Sequence, residues 1–380
     1  MQSRLAGLEN GMDSLTLAVR AKARKPKSLA SKLLIVISLF IVISIVLSVV
    51  NISSIRNFGF LSNSFYDESD FLGLWIRPPE HLLHQMSDKE LFWRASFAPR
   101  IKEYPFVRVK KIAFMFLTKG PLPLARLWER FFKGHEGLYS IYIHSMPSYD
   151  PKFSSSSVFF KRQIPSQVVQ WGKMSVVDAE RRLLANALLD ISNERFILLS
   201  ETCIPIVNFT VIYSHIMKSN LAFLSSFDDP GPFGRGRYNY QMAPLVDISQ
   251  WRKGGQWFEV DRDLALTLIE DDEYYPVFRD SCRPPCYVDE HYFPTLLTIK
   301  AADRIANRSL TWVDWSRGGY HPATFGGADI TAELFAKVNR EDRSCGYNNI
   351  SISMCFLFAR KFAPNSLKPL LSISSSVFGY

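Results

Sequence analysis

The chain has 380 residues, enough for one large domain or two ordinary ones, and its 47% apolar content separates it from disordered and fibrous classes. The formal charge is +9, but Arg4, Arg20, Lys22, Arg24, Lys25, Lys27 and Lys32 all precede residue 33 and face only Glu9 and Asp13. What remains is an excess of about four over about 330 residues, which excludes the dense basic surface of a nucleic-acid binder. Aromatics make up 14%, with 29 Phe, 15 Tyr and 8 Trp, and are read mainly as material for a thick core.

Residues 33–50 form an uncharged run of 18, LLIVISLFIVISIVLSVV, the length needed to cross a bilayer core. Its serines fit a helix in lipid, because a hydroxyl bonds back to a carbonyl one turn earlier. The run starts late and is long for a cleaved signal, and Asn51-Ile52 follows it instead of a small-residue cleavage site. A signal-anchor is therefore expected. The basic tail 1–32 would stay cytoplasmic, and the chain after the span would be lumenal, as the positive-inside rule directs. Cys203, Cys282, Cys286, Cys345 and Cys355 all follow the run, in keeping with a compartment that permits disulfides. Cys282 and Cys286 lack a second Cys/His pair at ligand spacing, so disulfides are preferred to a metal site; connectivity stays open and at least one thiol is unpaired. Sequons at Asn208, Asn307 and Asn349 suit the same compartment, whereas Asn51 lies close to the bilayer.

Residues 51–104 read as a stem, with one short helix introduced by the capping-box spacing of Ser87 and Glu90. From residue 105 the chain reads as the lumenal domain. Strands are expected at 112–117, 138–143 and 195–199. Helices are expected at 122–132, at 175–189 with Ser175 and Asp178 as its cap, and at 261–270. This alternation predicts an α/β domain with a central, mostly parallel sheet. Ligands of open α/β sheets bind at the carboxyl ends of the strands, here Thr118-Lys119-Gly120, His144-Ser145 and Ser200-Glu201-Thr202.

The segments KIAFMFLTKGPLP, FILLSETCIPI, WRKGGQWFEVDRD, CYVDEHYFPTLL, HPATFGGADIT and CFLFARKFAP, with the upstream LFWRAS, carry a resemblance. In order and spacing they resemble the core-2/I-branching β-1,6-N-acetylglucosaminyltransferase-like family, glycosyltransferase family 14, and within it the plant branch linked to cell-wall synthesis. The resemblance covers residues 111–364. It implies a type II Golgi membrane protein with a GT-A-like nucleotide-sugar fold. It also implies inverting transfer from a UDP-sugar, GlcNAc by family default, to a glycan hydroxyl without a divalent metal or other cofactor.

The residues bear on that metal question. Asp261-Arg262-Asp263 opens a helix, where acidic side chains suit the positive helix terminus, and Asp228-Asp229 precedes Pro230-Gly231 as an Asp-rich turn. Fixed cations would then meet the charge of the departing diphosphate. The resemblance assigns this to Lys361, with Arg360 beside it. The family's second cation, an arginine, is replaced here by Tyr320-His321, so Arg317 or His321 is the expected substitute. The acid that the family uses for uridine has His144 at its position.

Inversion needs one carboxylate to take the acceptor proton. Glu290, in Val288-Asp289-Glu290-His291, matches the family's base, with Asp289 read as the helix cap and His291 as structural or tuning. Trp312, Asp314 and Trp315 resemble the acceptor-binding stretch. A glycoside hydrolase fits poorly, since Asp289 and Glu290 are adjacent and point apart. A Ser or Cys hydrolase fits poorly too, since no Gly-x-Ser-x-Gly elbow occurs. The missing arginine keeps a catalytically inactive, glycan-binding or scaffolding relative as the alternative. Donor, acceptor, linkage and oligomeric state are left open.

Overall fold

The computed structural model describes residues 78–79, 81–97, 99, 103–319, 321–341 and 344–380. The expected tail, the span 33–50 and most of the stem lie outside them. Among the described residues no helix is long and apolar enough to cross a membrane.

Strand β1 (Lys111–Leu117) buries Ile112, Ala113, Phe114, Met115 and Phe116, a continuous apolar run of the kind that marks a strand covered on both faces. It pairs in parallel with β2 (Tyr139–His144) and β3 (Asn193–Ser200), and β5 (Glu259–Asp261) closes the order β2-β1-β3-β5 as an antiparallel edge. The register sets Leu117 beside both His144 and Ser200, so the carboxyl ends align as the alternation predicts. A second sheet has the order β4 (Ile204–Pro205), β9 (Phe358–Arg360), β6 (Thr311–Val313), with β6 and β9 parallel. A hairpin of β7 (Cys345–Tyr347) and β8 (Ile350–Ile352) carries a disulfide, Cys345–Cys355, just beyond it; Cys282–Cys286 is the other, and Cys203 is a buried free thiol.

Helix α1 (Asp88–Ala95) has the expected capping box: Glu90 N–H donates to Ser87 Oγ and Ser87 N–H to Glu90 Oε2. It packs against α3 (Ser175–Leu188), where Arg182 grips Asp88 through two bonds of 2.7 and 2.6 Å. The helix expected within the stem is thus part of the folded domain. Helix α2 (Ala125–Phe132) begins three residues later than expected, because Pro123 disfavours a helical Leu122. Its Trp128, Phe131 and Phe132 meet Phe114 edge-on, in a core that also holds Phe209 of α4 (Phe209–Met217). Ser175 does not cap α3; Met174 holds that position, and Ser175 Oγ instead accepts from Gln170 N–H. Asp261 does cap α5 (Arg262–Glu270), by accepting from Leu264 N–H. Helices α6 (Tyr274–Ser281) and α7 (Tyr292–Ala301) follow, and α8 (Ala332–Glu341) and α9 (Leu367–Ile373) lie near the C-terminus.

One buried ion pair fastens the antiparallel edge. Arg195 of β3 donates to both oxygens of Glu259 on β5, at 2.6 and 2.8 Å, and its Nη2 also reaches the Leu221 carbonyl at 2.9 Å. Breaking a buried pair strands a desolvated charge. Arg195→Met is expected to lower unfolding free energy by about 3–5 kcal/mol in urea titrations, with Arg195→Met/Glu259→Leu recovering most of the loss.

Candidate active site

A cavity of about 740 Å³ lies among irregular segments that follow β3, with strand β6 in its wall. That volume suits a sugar-sized ligand. Glu290 lines it from a short 3-10 turn, Val288–Glu290, ahead of α7. Two cations converge on one of its oxygens: Arg237 Nη1 donates to Oε2 at 2.7 Å and Lys253 Nζ at 2.5 Å. Among the described residues no hydrogen bond falls on Oε1, so that lone-pair face is free for an incoming hydroxyl. Burial alone would raise the Glu290 carboxyl, but the Lys253 and Arg237 charges outweigh it and hold the group below the ordinary glutamate value.

Local backbone contacts place these cations. Lys253 exchanges two main-chain bonds with Phe227, and Gly254 N–H donates to the Glu290 carbonyl at 2.8 Å. A Cβ at Gly254 would collide with the Ser225 carbonyl and Pro294, so only glycine lets this strand segment lie against the Glu290 turn. Arg237 ends the 3-10 turn Arg235–Arg237, its guanidinium between the rings of Phe233 and Tyr287 at 5.4 and 4.5 Å. Neither cation was singled out in the sequence, where both sit in loop-like stretches without helical or strand period.

Asp289 corrects an expectation. It does not cap α7, whose cap position is His291; it is buried inside the 3-10 turn with Oδ1 lacking a partner. Burial, and then the Glu290 charge, push its carboxyl up to about 6. Glu180 of α3, fully buried and bonded by Gln256 at 2.8 Å, is pushed well above its ordinary value by burial and by Asp289. His291 is structural: Nδ1 meets the Arg252 carbonyl at 2.8 Å and the ring stacks on Trp251.

The other expected residues separate into groups. Parallel pairing sets Val313 beside Arg360, so Trp312 and the basic pair at the end of β9 are neighbours. Arg360 lies over the Trp257 ring at 3.9 Å. Lys361 follows it, its ammonium pushed below the ordinary lysine value by burial and by Arg360, with Glu201 opposing and Lys119 adding to the effect. Such an excess of positive charge is relieved by a bound anion. Trp312 is 2% exposed, its Nε1 bonded to Glu341 and its ring stacked on Phe325, so it forms a cavity wall and not an open platform. Trp315, 51% exposed, does offer a face. Asp314 is buried and accepts from Ser316 N–H, which makes it a turn former. Arg317 and His321 are exposed, and His321 packs beside Trp171.

His144 is corrected: it is 0% exposed, Nε2 accepts from Gln167 N–H, and burial pushes it down to about 4. Residues 163–167 cover it, through the bridge of Ile143 with Gln163 and the bond of Ser145 N–H to Ser166. It therefore presents no atom to a nucleotide. Asp228 is held by two bonds from Arg235 and Asp229 accepts from Gly231 N–H, the Asp-rich turn that the sequence suggests. Of the sequons, Asn208 caps α4, Asn307 is exposed on the cavity lining and Asn349 is exposed.

The family model described as Branch: Core-2/I-Branching enzyme matches residues 112–339. Glycosyltransferase BC10 of Oryza sativa subsp. japonica is 34% identical over 308 residues, covering 70% of this chain and 76% of that protein.

The buried acid gives a pH test. Because the folded value of Asp289 lies above its unfolded value, its contribution to stability is present at low pH and lost as pH rises through about 6. Asp289→Asn is expected to raise unfolding free energy at pH 7.5 by on the order of 2–3 kcal/mol, and hardly at pH 4, when urea midpoints are compared at the two values.

Proposed function

Since this chain belongs to the Core-2/I-branching enzyme family and is a glycosyltransferase, we propose that it moves a sugar, GlcNAc or a related unit, from a UDP-sugar to a glycan hydroxyl with inversion and without a divalent metal. The observation that carries this is Glu290, an ionised carboxylate at a cavity of about 740 Å³ with one oxygen unbonded among the described residues.

In this reading the acceptor hydroxyl lies against Glu290 Oε1 and attacks the anomeric carbon from the face opposite the departing UDP. Glu290 takes the proton as the new bond forms. Lys253 and Arg237 favour the ionised carboxylate and limit its freedom to turn away. The negative charge that develops on the diphosphate meets Lys361, with Arg360 behind it at the end of β9. Parallel pairing of β6 with β9 sets Val313 beside Arg360, which supports a donor site adjoining the cavity wall.

The run at 33–50 and the basic tail before it support a Golgi membrane protein with a single span and a lumenal enzyme. The likeness to a plant glycosyltransferase supports a role in cell-wall or glycoprotein glycan synthesis.

The test is UDP release by the full-length protein from a panel of UDP-sugars in EDTA. Wild type is expected to release UDP from one donor, and Glu290→Gln to lose at least about 100-fold in rate while still binding UDP. A well-folded wild type that binds no UDP would favour the inactive scaffold instead.

A further inference from the structure

At the cavity mouth an exposed tryptophan is held in place by features that serve no purpose in the core. Trp171 is 58% exposed and lines the cavity. It sits in a turn fixed by Lys173 N–H on the Gln170 carbonyl and Gln170 N–H on Ser175 Oγ. Its ring lies 4.8 Å from that of Tyr287 at 47° and 5.4 Å from that of His321 at 46°, so two neighbours brace it while more than half of it stays exposed. Tyr287 itself has φ +52°, a left-handed conformation that a bulky residue seldom holds. Gly172 has φ +73°, which favours glycine, and a Cβ there would press on the Tyr287 ring at 3.0 Å. The other side of Tyr287 carries the Arg237 guanidinium that also grips Glu290.

We propose that Trp171, braced by Tyr287, forms a stacking subsite for a pyranose ring of the acceptor glycan, a reading that rests on the glycosyl transfer proposed above. A pyranose presents a face of C–H bonds edged by hydroxyls. Those polarised hydrogens suit the negative faces of aromatic rings. The hydroxyl edge of a ring stacked on Trp171 would face a cavity that Arg237, Lys253 and Glu290 also line. Trp312 cannot take this part, since Phe325 covers its ring and Glu341 holds its N–H.

The experiment is saturation-transfer NMR on the full-length protein in detergent, titrated with β-1,4-linked tetrasaccharides of glucose, xylose and galactose, and separately with UDP. Wild type is expected to bind at least one tetrasaccharide. Trp171→Ala should bind it about tenfold more weakly, the loss of one stacking contact, while Trp171→Phe stays near wild type. UDP affinity should be unchanged in both variants. Equal tetrasaccharide affinity in Trp171→Ala, no binding of any tetrasaccharide by wild type, or a loss of UDP affinity instead would each overturn the subsite. Trp171-dependent glycan binding by a wild type that transfers no sugar would leave the subsite standing and refute the proposed function.

Discussion

Two cations on a single carboxylate oxygen hold the site together. Glu290, Arg237 and Lys253 come from three irregular segments that have few regular backbone bonds of their own. A half-buried carboxylate without partners would be strongly penalised, and so would two half-buried cations. Joined, they offset one another and fix the segments that carry them. The cavity walls follow from this: Lys253 brings Gly254 against the Glu290 turn, and Arg237 brings Phe233 and Tyr287. The same charges hold the Glu290 carboxyl below its ordinary value against the pull of burial.

The sheet and its helices do a different job. Parallel strands β1, β2 and β3 end in line, with an aromatic core from Phe114, Trp128 and Phe132 beneath them, and form a rigid base. The charged cavity residues Glu290, Arg237 and Lys253 sit on irregular segments outside this base, the usual division of labour between scaffold and site. In the small sheet β4-β9-β6 the parallel pair sets the Trp312 wall of the cavity beside the basic end of β9.

Much of the scaffold was legible because its signals are local. The buried run of β1, the Ser87 capping box and the helix that opens at Asp261 are settled within a few residues, and the structure has each within a residue or so of where the pattern puts it. Glu290 was legible as a residue because its segment resembles a family motif. The failures are those of tertiary context. His144 stands at a strand end as read, yet residues 163–167 fold over it, which no period in the strand announces. Asp289 looked like a cap because acids favour helix starts, but a 3-10 turn intervenes and buries it. Lys253, Arg237 and Trp171 carry no periodic signal; only long-range contacts bring them to the cavity.

The central claim is that Glu290 is the base and that its neighbouring cations set its charge. The most direct measurement is the pH dependence of kcat/KM for wild type and for Lys253→Met, with donor and acceptor varied separately. Removing Lys253 removes charge that favours the ionised carboxylate, so the acid limb is predicted to move to higher pH in the variant while the basic side is unchanged. An acid limb at the same pH in both proteins would contradict the account.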